Sequence, residues 1–173
     1  MSAGDEKQNA IGLLEREWHA LDTWLRSLDE RQLDRPVFLE GGEGPGWRVR
    51  DMIAHLAWWQ ELAARVAEKI ATEGGAPDER GSRPFLGIET PFDALNAETF
   101  ETWRERPVAE RFDRWLATHS RMMDAFGALR PDQLLQAEGG MEGLKRYFAV
   151  PGLIHLRIHR ENIEAALKET ATT

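Results

Sequence analysis

The chain contains no cysteine. That removes disulfides, thiolate metal sites, iron–sulfur clusters and a cysteine nucleophile from consideration, and a reducing, cytoplasmic compartment is the expectation. Positive charge is in deficit: 22 Lys and Arg face 30 Asp and Glu, a formal net charge of −8. Such a balance argues against a grip on the nucleic-acid backbone or on an anionic membrane surface. No run approaches the roughly 18 apolar residues of a membrane span, and Met1–Ala10 is polar, without the apolar stretch of a signal peptide. Repeats and low-complexity tracts are missing. Strand patterns are scarce: residues 37–39 and 147–150 are the only candidates, each too brief to found a sheet. What is left is a chain of 173 residues, 42% apolar and 30% charged, which suits one domain over residues 1–173 with a real core.

Apolar residues recur at helical spacing almost everywhere else. Ile11, Leu14, Trp18, Leu21, Leu25 and Leu28 form one stripe and predict a helix over about 5–28, with Asp5 as its N-cap. Residues 34–46 carry two prolines and four glycines and read as a loop. Met52, His55, Trp59, Leu62 and Val66 predict a second helix over about 49–72, stopped by Gly74 and Gly75. The Gly- and Pro-rich stretch 74–91 is longer than antiparallel neighbours need, and suggests a crossover. A helical stretch capped by Asp93 runs to about 106. Pro107 then opens a third main helix to about 129, with Phe112, Trp115, Leu116, His119, Met122, Met123 and Phe126 on its stripe. After a polar loop over 130–143, Pro151 opens a last helix to about 169; a longer helix kinked at Pro151 is the alternative. The expected class is all-α, a bundle of four main helices.

Three of the five histidines are singled out by position. His155 and His159 are four residues apart, so their rings share one helix face, one turn apart. That spacing lets both reach one metal ion at roughly 2.0–2.1 Å. No glutamate follows the first, so the pair is not a metalloprotease motif and brings no general base. His55 lies within the apolar stripe of the second helix and faces the interior, where bundles assemble metal sites. Alone, the pair is also compatible with incidental spacing and His55 with a satisfied core histidine. Together, three buried imidazoles need acceptors and donors satisfied, and a shared ion would take all three lone pairs. His119, also on a core stripe, reads as a core or supporting histidine, and His19 as a boundary residue. Of the seven tryptophans, Trp18, Trp24 and Trp115 fit core positions. Trp59 follows His55 by one turn and is a candidate pocket wall, and Trp58 points aside. Arg157 and Arg160 flank the pair and could meet an anionic substrate, or be salt-bridged to Glu161 or Glu164.

Residues 46–60, GWRVRDMIAHLAWWQ, resemble the W-[ST]-V-[KR]-D-x-[LI]-x-H-[LI]-x-x-[WH]-[EQ] stretch of the DinB/YfiT-like superfamily through Trp47, Val49, Arg50, Asp51, His55, Leu56, Trp59 and Gln60. Residues 151–163, PGLIHLRIHRENI, resemble its terminal helix. The resemblance implies a four-helix bundle connected up-down-down-up, with a long crossover between the second and third main helices. It also implies a divalent metal, nickel or zinc, on His55, His155 and His159. Relatives include mycothiol-dependent maleylpyruvate isomerase, bacillithiol S-transferases and the ClbS/DfsB branch. Two positions depart from the pattern: Arg48 stands where Ser or Thr caps the helix, and His155 where the maleylpyruvate isomerase branch has glutamate.

The resemblance therefore implies a metal-dependent S-transferase or isomerase acting on a small molecule with a low-molecular-weight thiol: mycothiol, bacillithiol or glutathione. A homodimer is expected, since such bundles often pair. The alternatives are a non-catalytic metal- or ligand-binding stress protein and a metal-assisted hydrolase of the ClbS/DfsB type. A general base beside the metal would favour hydrolysis. A cleft sized for a thiol conjugate would favour transfer, and a site sealed by Trp59 would favour binding alone.

Overall fold

A computed structural model describes residues 2–37, 46–78, 81–136 and 143–168. Among these the structure is helical, with no strand and only two isolated bridges, Pro36 with Arg48 and Leu135 with Leu144. Neither suggested strand is found among the described residues: Val37 is in none, with 38–39 outside them, and residues 147–150 are helical. Most of the 34–46 loop likewise lies outside them, as do residues 137–142 of the 130–143 loop, whose described part holds a helical turn over Pro131–Leu134.

Helix α1 spans Ala3–Arg26 and buries Ala10, Leu14, Trp18, Leu21 and Leu25 on one stripe. Its cap is Ser2, not Asp5. The Ser2 hydroxyl accepts from the Asp5 N–H, and the Asp5 carboxylate accepts from the Ser2 N–H. A hydroxyl three residues ahead of an acid satisfies two orphan donors reciprocally, and so displaces the start upstream. Lys7, also buried, donates through Nζ to the carbonyls of Gly127 and Leu129, far along the chain. A short helix α2 (Glu30–Leu33) follows, with its own capping box between Asp29 and Gln32.

Helix α3 (Val49–Glu73) is buried on nearly every side, which makes it the central element. Gly74, at φ 76°, ends it in a conformation that suits only glycine well. After the single turn α4 (Ser82–Phe85) and α5 (Phe92–Trp103), α6 (Val108–Ala128) packs along α3 in the most extensive helix contact. Pro107 is the residue preceding α6 rather than its first turn. Leu116 departs from its expected inward place: it is 52% exposed, because the buried stripe runs through Phe112, Trp115, His119, Met122 and Phe126. The short α7 (Pro131–Leu134) packs on α1.

The last helical segment begins at Arg146, not Pro151. It runs as α8 (Arg146–Ala149), one π turn (Val150–Ile154) and α9 (His155–Lys168). Proline has no N–H to give and its ring crowds the carbonyl four residues back. Widening by one residue accommodates it without ending the helix. The alternative of a longer helix disturbed at Pro151 is the one realised. The π turn packs on α1, α3 and α9, and α9 packs on α1 and α3.

One buried ion pair ties the chain together at the start of α3. Arg111 is wholly buried and its Nη1 donates to Asp51 Oδ1 at 2.5 Å. Its other nitrogens donate to the carbonyls of Trp103, Arg104 and Arg106, so it also closes the end of α5. Asp51 in turn accepts from the backbone N–H of Arg48 at 2.9 Å and from Arg48 Nε at 3.1 Å. The departure at Arg48 is thus absorbed: the helix has no hydroxyl cap, and the carboxylate three residues in serves the same N–H. Removing one partner would strand the other in a dry interior. Asp51→Ala is therefore expected to lower stability by about 3–5 kcal/mol, read from urea unfolding by circular dichroism. A loss below about 1 kcal/mol would show that the pair is not what holds this junction.

Candidate metal centre

Helix α3 supplies His55 and α9 supplies His155 and His159. One nitrogen of each lies within 4.8 Å of the others. The ring centroids stand 4.7 Å apart for His55 and His159, 5.2 Å for His155 and His159, and 5.8 Å for His55 and His155. Nε2 of His55 is 3.0 Å from Nε2 of His159, close enough for both to sit on one ion at roughly 2.0–2.1 Å. The expected trio is brought together from positions 104 and 100 residues apart in the chain. Among the described residues it is the only such cluster, and it contains no carboxylate.

Each ring is oriented differently. Nδ1–H of His155 donates to the Val150 carbonyl at 2.8 Å. The same carbonyl accepts the His155 backbone N–H, the bond that closes the π turn. The widened turn therefore fixes the ring's tautomer, leaving Nε2 with its lone pair free. Nδ1 of His55 and Nδ1 of His159 have no partner among the described residues. Trp47 meets the His55 ring edge-on at 5.3 Å, and Trp59 lies 4.1 Å from the His155 ring at 33°. The indoles help exclude water, and exclusion disfavours the charged imidazolium. Burial, then the neighbouring His159 and His155, holds His55 well below the ordinary histidine range. Burial lowers His155 to about 4 against the opposing pull of the Val150 carbonyl, and lowers His159 to about 3 with help from His155. All three are neutral at pH 7, which is the state a metal ligand needs.

The fit to a divalent cation is good on this geometry. Two Nε2 atoms face each other at 3.0 Å, so without an ion one must carry a proton toward the other. With an ion, all three could present lone pairs.

The other candidates divide. Trp59 lies against the His155 ring and lines a cavity of about 500 Å³ with Phe92, Tyr147, Arg146, Val150 and Pro151. Trp58 meets Trp59 and Phe92 edge-on. His119 is not brought to the trio. It stacks on Trp18 at 3.9 Å and 8°, with His19 at 6.4 Å, and burial lowers it to about 4. Arg157 and Arg160 turn away as well: Arg157 pairs with Glu17 of α1, and Arg160 with Glu164 on its own helix. Sequence reasoning missed Phe92, Tyr147 and the Val150 carbonyl. The signal for the last was Pro151 itself, inside rather than ahead of the helix.

In the ion-free protein, NMR of the imidazole nitrogens is expected to show His155 as the Nδ1–H tautomer, titrating near pH 4. The unfolded chain takes up these protons near pH 6.5 and the folded chain does not. The contribution of His155 to stability is thus full above that pH and is lost as pH falls toward 4. An Nε2–H tautomer, or titration at an ordinary histidine value, would contradict the assignment.

No curated protein matches the chain. A family model, the mycothiol maleylpyruvate isomerase N-terminal domain, matches residues 14–151. That span includes His55, Trp59 and the Asp51–Arg111 pair, and ends before His155 and His159. On this match the chain belongs to the mycothiol maleylpyruvate isomerase N-terminal domain family, one of the DinB/YfiT-like families.

Proposed function

We propose that this protein is a metal-dependent enzyme, an S-transferase or isomerase that uses a low-molecular-weight thiol such as mycothiol, bacillithiol or glutathione. His55, His155 and His159 hold one divalent ion, nickel or zinc. The fold that presents them is a DinB-like four-helix bundle over residues 1–173, connected up-down-down-up through α1, α3, α6 and the α8–α9 segment. A homodimer, a small-molecule substrate and a cytoplasmic location belong to the same reading. The observation that carries it is the meeting of three neutral imidazoles, His55 and His159 buried and His155 half-buried, from two distant segments.

A divalent ion held there supplies Lewis acidity, which lowers the pKa of a thiol bound to it. Three uncharged ligands leave the cation's charge uncompensated, so the site attracts an anionic sulfur or oxygen. The chain's own residues keep the ligands ready. Burial denies protons to the imidazoles, the Val150 carbonyl holds the His155 tautomer, and Trp47 and Trp59 limit water. The chain has no thiol of its own, so a reacting sulfur must arrive on a soluble cofactor. The cavity of about 500 Å³ beside Trp59 gives such a conjugate room, which favours transfer over a sealed binding module. The trio itself carries no carboxylate among the described residues, but Asp78 is on the wall of the cavity beside Trp59, so the preference for transfer over hydrolysis rests on that cavity's room for a conjugate. No helix among the described residues is long and apolar enough to cross a membrane.

Freshly purified protein is expected to carry about one divalent ion per chain, and His159→Ala to lose most of it, by plasma mass spectrometry of both. A screen of the three thiols against electrophilic acceptors then selects the reaction. Wild type without metal, or a variant that retains it fully, would remove the basis for this function.

A further inference from the structure

Helix α5 lies against α3, and its contacts fix a register. Phe92 meets the Trp59 ring at 4.8 Å, and Phe100 meets the Trp47 ring at 5.1 Å. The His55 ring stands between those two tryptophans, 5.3 Å from Trp47 and 6.2 Å from Trp59. Asn96 is one turn from Phe92 and one turn from Phe100, on the same face of α5. On that register Asn96 lies at the level of His55, on the face of α5 that carries Phe92 and Phe100.

Asn96 is 3% exposed, and neither Oδ1 nor Nδ2 has a hydrogen-bond partner among the described residues. A primary amide buried with nothing to bond is costly, while leucine of similar volume at the same place would carry no such cost. The polar group is therefore informative. An amide offers two N–H donors and one acceptor, which suits a ligand with an anionic atom and a neighbouring polar hydrogen. Trp59 Nε1, also buried and without a partner among the described residues, is a second donor beside the trio, on a ring 6.2 Å from His55 and 4.1 Å from His155.

We infer that Asn96 is a ligand-binding residue of the centre: its amide donates to the sulfur or oxygen that a small molecule presents to the three histidines, and fixes that molecule's orientation. This rests on the metal site proposed above. It goes further in naming the protein group that greets the incoming ligand, and in requiring of that ligand a hydrogen-bond acceptor beside its metal-binding atom or at it.

The test uses full-length protein loaded with cobalt(II), with 2-mercaptoethanol as the probe and the visible absorption of the ion as readout. Wild type and Asn96→Leu are expected to take up the same amount of cobalt. Leucine is expected to weaken the probe about tenfold while raising the melting temperature of the probe-free protein by about 2–4 °C. Weaker binding with higher stability is the signature of an amide kept for a ligand rather than for the fold. Equal probe affinity in the two proteins overturns the inference. So does a lower melting temperature in the leucine variant, which would assign the amide a structural bond. If leucine does not fold, Asn96→Ala carries the same affinity comparison, and unchanged affinity there overturns the inference too. A wild type that takes up no cobalt removes the metal site itself, a failure separable from the others because it precedes any use of the probe.

Discussion

Water exclusion around three imidazoles is the constraint on which the centre depends. His55 is 1% exposed and His159 5%, and His155 is roofed by an indole. In such surroundings an imidazolium is the costly form, so the rings stay neutral and their lone pairs stay available. Neutrality alone would leave buried donors and acceptors to satisfy. The structure answers this unevenly, since the Val150 carbonyl serves His155 whereas Nδ1 of His55 and of His159 find no partner among the described residues. A polar cluster left partly satisfied inside an apolar core destabilises it. Partnerless nitrogens alone do not set this centre apart, since His119 Nδ1 is also without a partner among the described residues; two Nε2 atoms facing each other at 3.0 Å do, and an ion shared between them would relieve that contact.

Burial by itself does not define such a place, and His119 shows why. It is as deeply buried as His159, and its proton affinity is lowered in the same direction for the same reason. Yet it stacks flat on Trp18 and meets no second imidazole nitrogen at bonding distance. Stacking uses the face of the ring, and metal binding uses its edge. Convergence of edges, rather than the titration of any one group, separates the trio from a packed histidine.

Much of this was legible in the sequence, and the illegible parts share a cause. Stripes such as Leu14, Trp18, Leu21 and Leu25 announce themselves because helical period and burial are both local patterns. The His155–His159 pair is legible for the same reason, and His55 through its place within a stripe. Pro151 misleads because a first-turn proline and a proline inside a π turn look alike until the preceding residues are known to be helical. Asp5 misleads because its helix starts further upstream than the stripe shows. Arg157 and Arg111 were out of reach altogether. Whether an arginine meets a substrate, Glu17 of another helix or a buried Asp51 is decided by tertiary contacts that leave no periodic trace.

Two successive turns near the start of α3 divide the work. At its start, Asp51 and Arg111 gather the beginnings of α3 and α6 and the end of α5, with every hydrogen bond turned inward on protein atoms. One turn further along, His55 opens onto groups whose bonds are not all made by protein. A fully satisfied polar network rigidifies what surrounds it, and a partly satisfied one is held in place only by its neighbours. Setting the second directly above the first lets the chain tolerate orphaned atoms where chemistry needs them. The aspartate and the histidine of the matching segment, four residues apart on one helix, are thus bound together physically: the ion pair holds the scaffold still, so that the imidazole can keep a bond in reserve.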